Sequence, residues 1–394
     1  MYDPTRMAPA NSEPNDEGYL ALVLSGGGAR AAYQVGALDG IAQRAGAGLH
    51  FPIVTGVSAG AINAACLASS ATLGSAVSVL QQAWLGMSVN SVFQTGAFSL
   101  LLSVLKWGAM MFTAGRTPGF DVRGILDTRP LRRTLSRYIE TANIENNLAS
   151  GRLRALGLST TSYSTGKTVT FIGSAEDLAS WKRADRMSVR SAITVDHVLA
   201  SSALPLVFPA IAIGDQYFGD GSVRQTAPLA PAIHMGAARL LVLAIRYGRR
   251  GEENVDNRIS GYPPAAQVLG MLMNSVFLDA VDADVERAER VNRSLALLPG
   301  GRAHPEGLRP LTLVVLRPSK DLGMLAADLG HHLPGALRHI FRGLGSSGLQ
   351  SQDLLSYLLF ESPYIERLIE LGRADALAQW DSIAPLLDTA RELA

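Results

Sequence analysis

The sequence predicts an α/β protein: a parallel sheet with helices packed against it. Two observations carry this. The chain opens with two successive strand–turn–helix units, and two further apolar strand patterns follow much later, separated by helical ones. Residues 19–25 are a short apolar run ending at three consecutive glycines, read as a buried strand. Residues 31–44 have helical spacing, with Val35, Leu38 and Ile41 as the apolar set. Residues 51–55 form the second strand, which stops at Gly56, and 61–71 a small-residue helix. Further on, 129–139 read as an amphipathic helix and 153–159 and 168–172 as strands. Residues 195–202 read as a helix stopped before Pro205. Residues 211–213 and 216–218 make a short hairpin around Gly214 and Asp215. Buried strands are expected at 240–245 and 311–316. A loop or boundary is expected at 248–264 and a long helical pattern over 265–298. From Asp321 onward only helices and loops are expected.

Composition narrows the functional classes. Of 394 residues, 47% are hydrophobic and only 18% charged, below the usual charged fraction of about 25%. This excludes disorder for most of the chain. The formal net charge is +1 with no sustained basic run, which argues against nucleic-acid binding. One cysteine, Cys66, excludes a disulfide framework and a cysteine-rich zinc site; it is expected in the core. Residues 1–18 are polar, lack the features of a signal peptide and read as a flexible tail. Residues 97–114 are the longest apolar stretch. Lys106 and Gly108 in its middle argue against a membrane span. It reads either as a core helix or as an apolar lid meeting lipid, with Phe98, Trp107, Met110, Met111 and Phe112 suited to that contact. The expected location is cytoplasmic, with peripheral membrane contact.

Three motifs carry chemistry. Gly56-Val57-Ser58-Ala59-Gly60 is a G-x-S-x-G between a strand and a helix. Such a turn must be tight for the Ser58 hydroxyl to project clear of the sheet. Gly56 and Gly60 remove side chains that would clash, and the helix starting near Ala59 aims its N–H groups at the serine. Ser25-Gly26-Gly27-Gly28-Ala29-Arg30 is a glycine loop whose N–H groups converge on an anion. It fits a dinucleotide loop, but the acidic residue that pattern wants after strand two is missing. No Gly-Lys-Ser/Thr follows, which excludes a P-loop. An oxyanion hole is the remaining reading. Asp220-Gly221 closes the hairpin; alone it is a turn, but a serine needs a base. Ser58, Asp220 and His234 satisfy the order of an ordinary hydrolase triad, although His234 lies in an apolar helical pattern and reads as a packed or surface residue.

Taken jointly, these motifs resemble the patatin-like phospholipases, in their bacterial branch. The resemblance runs from about residue 19 to 245. It rests on Gly26-Gly27-Gly28-Ala29-Arg30, Gly56-Val57-Ser58-Ala59-Gly60, Ala200-Ser201-Ser202-Ala203-Leu204-Pro205 with Phe208-Pro209, and Tyr217-Phe218-Gly219-Asp220-Gly221. It implies a three-layer α/β/α fold around a mixed, mostly parallel sheet. It implies a Ser–Asp dyad, with Ser58 as nucleophile and Asp220 as base. The glycine loop Gly26 to Gly28 then supplies oxyanion donors aided by Arg30. Ala31 stands where the family commonly has glycine, and Ser222 where it commonly has Gly or Ala. The organisation expected is a tail (1–18), a catalytic domain (19–318, motif-bearing to 245) and a helical C-terminal extension (319–394).

The activity implied is hydrolysis of acyl esters in phospholipids or related lipids, with no cofactor. The competing readings are a catalytically inactive lipid-binding or scaffold member of the fold and a triad esterase using His234. The partner implied is a lipid substrate at a membrane surface. No metal-ligand spacing stands out; Asp282, Asp284 and Glu286 read as a solvated helix face.

Overall fold

A computed structural model describes residues 18–93, 126–248, 263–277, 279–297, 308–343 and 352–391. The expected tail at 1–17 and the apolar stretch 97–114 lie outside the described residues, as does most of the 248–264 boundary.

β1 (Tyr19–Leu24) and β2 (Ile53–Val57) pair in parallel, as two strand–turn–helix units require. The remaining strands are β3 (Ala155–Ser162), β4 (Thr168–Gly173), β5 (Arg186–Arg190), β6 (Ile211–Ile213), β7 (Gln216–Asp220), β8 (Ala237–Leu243) and β9 (Thr312–Leu316). Their order is β5-β4-β3-β2-β1-β8-β9. The five strands from β3 to β9 run parallel, and β4 runs antiparallel to β3. The β6–β7 hairpin adds to β3, setting Asp220 opposite Thr160. The sheet is therefore mixed and mostly parallel.

Alternation along β1 builds the layers. Leu20, Leu22 and Leu24 enter a large core with α1 (Ala32–Ala45), α2 (Ala59–Ala68) and α3 (Leu73–Leu85). Ala21 and Val23 face a second core with Ala232, Val281 and Val285. Successive strand residues point to opposite faces, so a sheet flanked by β2 and β8 at its centre must be covered on both sides. The result is three layers, α/β/α. The glycine loop and the Ser58 turn sit at the carboxyl ends of adjacent strands β1 and β2. Open α/β sheets bind ligands at such a place.

The helices after 319 do not stand apart. Leu354, Tyr364, Ile365 and Leu368 belong to the same large core as β1. The helix Ser362–Ala378 lies backbone to backbone on α1: a Cβ at Gly36 would meet the Ile369 carbonyl oxygen at 1.9 Å, and one at Gly372 the Tyr33 oxygen at 2.0 Å. Arg373 pairs with Asp39, and the Tyr33 hydroxyl donates to Asp375 at 3.0 Å.

Several local expectations change. β5 was not anticipated, because an edge strand reading Arg-Met-Ser-Val-Arg lacks a buried face pattern. α3 was also missed, although Thr72 and Ser75 form a capping box at its start. The 265–298 pattern is helical over Ala265–Phe277 and Asp279–Ala296, as expected. Asp284 is not on a solvated face: it is buried and accepts the Leu229 N–H at 2.9 Å. Cys66 is in the core, as expected. No described helix is long and apolar enough to cross a membrane.

Candidate active site

β2 ends at Val57 and α2 begins at Ala59, so Ser58 alone makes the turn. Its backbone takes φ +54° and ψ −131°, a left-handed conformation costing a non-glycine residue about 1–3 kcal/mol. Tight packing holds it there. A Cβ at Gly60 would lie 2.4 Å from the Leu24 carbonyl oxygen, so only glycine lets α2 approach β1. Gly56, at the end of β2, is packed equally closely against the Gly60 carbonyl. Two serines clamp the strained residue. The Ser58 N–H donates to Ser201 Oγ at 3.0 Å, and Ser202 Oγ donates to the Ser58 carbonyl at 3.0 Å. Ser201 Oγ in turn donates to the Ser159 carbonyl on β3 at 2.6 Å. This clamp was not foreseen; its only sequence signal is the Ala200–Pro205 stretch that carries the resemblance.

Asp220 arrives on β7, which pairs with β3 beside β2 and so ends near the Ser58 turn. Its N–H donates to the Ala203 carbonyl and its carbonyl accepts Thr161 Oγ1, both at 2.8 Å. So anchored, its carboxylate meets the serine: Ser58 Oγ donates to Asp220 Oδ2 at 2.6 Å. The Ser222 N–H donates to Oδ1 at 2.9 Å. Burial pushes the Asp220 carboxyl up to about 6, against the opposing pull of its hydrogen bonds from Ser58 and Ser222. An ordinary carboxylate is a poor base for a hydroxyl, and this shift makes it a better one.

Gly26, Gly27 and Gly28 form the third wall. Their N–H groups donate to no acceptor among the described residues, leaving them free for an anion. Gly28 has φ +57°, and a Cβ there would lie 2.2 Å from the Tyr357 carbonyl oxygen. A buried polar chain pins the loop from beneath. Gln34 Nε2 donates to the Ser25 carbonyl at 2.9 Å, Asn63 Nδ2 to Gln34 Oε1 at 2.9 Å, and Trp84 Nε1 to Asn63 Oδ1 at 2.8 Å. α1, α2 and α3 each contribute one link.

Arg30 departs from expectation. Its guanidinium does not line the space over Ser58. It is buried, with Nε donating to Ser356 Oγ at 2.7 Å and Nη2 to Asp353 Oδ1 at 2.8 Å. Nη1 reaches Asn274 and the Tyr357 hydroxyl, and the group lies 4.2 Å over the Tyr357 ring. A guanidinium with five donors in a plane seeks such a forked acceptor set, so Arg30 ties the loop to the C-terminal helices. His234 also lies elsewhere: its ring stacks on Trp181 at 4.6 Å. Burial and the neighbouring Arg183 and Arg186 lower its pKa to about 4. Neither Ser58 nor Asp220 bonds to it, so this alternative triad is not assembled.

Over Ser58, Gly28 and Asp220 lies a cavity of about 50 Å³. Ile62, Met87, Val92 and Leu131 line one part, and Phe277, Tyr357, Leu358 and Phe360 another. A buried serine–carboxylate pair beside free N–H donors, opening on apolar walls, suits an ester with a hydrocarbon arm. The family model for patatin-like phospholipases matches residues 22–233. The chain belongs to this family. Its members are lipid acyl hydrolases, and the matched span contains the Ser58 turn, the glycine loop and Asp220. Among solved structures, this patatin-like chain is similar to VipD from Legionella pneumophila at 11% identity, covering 94% of this chain and 72% of that one, with a TM-score of 0.37. It is also similar to the type III effector protein ExoU at 16% identity, covering 89% of this chain and 53% of that one, with a TM-score of 0.26. It thus spans about half of the latter. No curated protein matches it.

Proposed function

We propose that this protein hydrolyses acyl esters of phospholipids or related lipids with a Ser58–Asp220 dyad, through an acyl-enzyme. The observation that carries the reading is the 2.6 Å bond from Ser58 Oγ to Asp220 Oδ2, made by a strained serine at the base of an apolar cavity. Ser58 Oγ forms a bond to the ester carbonyl carbon while its proton passes to Asp220. The carbonyl oxygen, now negative, takes the Gly26–Gly28 N–H groups. Each such donor is worth on the order of 3 kcal/mol in comparable sites. As the tetrahedral species collapses, the bond to the leaving alkoxide breaks and that oxygen takes the proton from Asp220. Water then attacks the acyl-enzyme, giving its proton to Asp220, and Ser58 leaves with that proton.

The preorganised turn favours an active enzyme over an inactive scaffold, because backbone strain of this kind concentrates at active sites. The test is labelling by a fluorophosphonate followed by product analysis on a lipid panel. Wild type labels at Ser58 and releases fatty acid, whereas Ser58→Ala does neither. Unlabelled wild type points to the scaffold, and fatty-acid release by folded Ser58→Ala sinks the dyad.

A further inference from the structure

We infer that the segment 357–360 sets which acyl chains this site accepts, with Phe360 as a rigid part of the wall. This rests on the reading of Ser58 as the residue that becomes acylated. The cavity over Ser58 is built from two sources. Ile62, Met87, Val92 and Leu131 come from the family-matched part, but Phe277, Tyr357, Leu358 and Phe360 lie beyond it. Chain-length selection therefore has a component that the catalytic motifs do not encode.

Phe360 is a rigid part of the cavity wall. It is 7% exposed and its ring stacks on Trp84, with centroids 6.2 Å apart and planes 18° from parallel. Trp84 is fully buried and hydrogen-bonded through Nε1 to Asn63, so the ring behind Phe360 has no freedom to retreat. Close-packed interiors do not deform continuously. Tyr357 is equally fixed, tilted against Phe277 at 5.3 Å with its hydroxyl on Asn274 at 2.8 Å. Leu358 is half-buried and lines the cavity, while Leu359 is fully buried in the core. The cavity is only about 50 Å³. By the same measure one water needs about 10–15 Å³, so a few waters fill it. A long acyl chain has to displace a wall, and the walls available are aromatic and braced.

The experiment is a series of p-nitrophenyl esters from acetate to palmitate, read as kcat/KM against chain length for the full-length protein. Phe360→Ala and the milder Phe360→Leu move the optimum to longer chains. The long-to-short ratio of kcat/KM rises about tenfold or more in Phe360→Ala, since one methylene in an apolar pocket changes selectivity about 10–200-fold. Leu358→Trp, which adds bulk to the wall and shrinks the cavity, moves the optimum the other way. If folded variants lose activity by one common factor at every chain length, the segment is structural and the inference is overturned. If Phe360→Ala does not fold, Phe360→Leu and Leu358→Trp decide the question alone. Ser58→Ala is run alongside. Undiminished turnover there removes the acyl-enzyme reading itself, an outcome distinct from an unmoved optimum in a Ser58-dependent enzyme.

Discussion

The family-matched part of the chain, 22–233, and the helices after residue 263 share one core but divide the work. The first holds every group proposed to react: Ser58 on its turn, Asp220 on β7 and the free N–H groups of Gly26 to Gly28. The second holds none of them. It supplies the aromatic residues Phe277, Tyr357 and Phe360 and Leu358 to the cavity wall, and the acceptors Asn274, Asp353 and Ser356 that fix Arg30 at the end of the glycine loop. Reacting groups need angstrom-level backbone geometry, which local turns and sheet registers deliver. Walls need only bulk and support, which distant helices can lend.

Breaking the first region has the largest effect. Ser58→Ala and Asp220→Asn each lower kcat by about a thousandfold or more, in line with loss of a nucleophile or its base; initial rates on a soluble ester read this. Wild-type kcat/KM falls on the acid side, with a midpoint near the raised Asp220 value of about 6. The base must be ionised to accept a proton, so a flat profile from pH 5 to 8 removes Asp220 from that role.

Next comes the link between the regions. Arg30→Met strands buried polar partners and costs about 3 kcal/mol of stability, seen as a lower melting temperature. Arg30→Lys restores only part of it, because an ammonium does not reproduce the fork. A collapse of kcat in Arg30→Lys with unchanged stability points instead to a guanidinium acting on the oxyanion.

A third test separates function from stability within one residue. The folded-state pKa of Asp220 lies above its unfolded value of 3.8, so its ionised form disfavours the fold. That cost is present above about pH 6 and is relieved as the pH falls toward 4. Asp220→Asn, which keeps an acceptor for the Ser222 N–H, is therefore more stable than wild type at pH 8, by on the order of 2 kcal/mol. The difference shrinks toward pH 4. Thermal melts at the two pH values check it, and a destabilised Asn variant at pH 8 contradicts it.

The smallest effect is expected at the serine clamp. Ser202→Ala removes one hydrogen bond to the Ser58 carbonyl, worth about 1 kcal/mol. It lowers kcat severalfold and leaves KM unchanged. Equal losses in binding and turnover show that Ser202 contacts substrate instead.

Much of the site was legible because its chemistry is written in short stretches. A serine between glycines after an apolar strand must turn sharply whatever surrounds it, and Asp220 closes a hairpin whose strands alternate visibly. β1, β2, β3, β4 and β8 were legible because both faces are buried, the β6–β7 hairpin because of its Gly214–Asp215 turn, and β5 was not, since its exposed edge carries arginines. Arg30 shows the opposite case. Its neighbours in sequence suggest an anion site, but its partner Asp353 lies 323 residues away, and no local pattern announces that.

The sequence by itself therefore determined the candidate reacting residues, the parallel core of the sheet and a near-neutral net charge. These follow from backbone sterics, hydrophobic periodicity and charge count, all local or additive properties. Only the tertiary structure decided that Ser201 and Ser202 hold the strained turn, that Arg30 faces the C-terminal helices, and that Phe360 braced by Trp84 walls the cavity. Those are contacts between segments far apart in the chain. Packing selects them collectively, because a side chain's partner depends on what every other element has already buried.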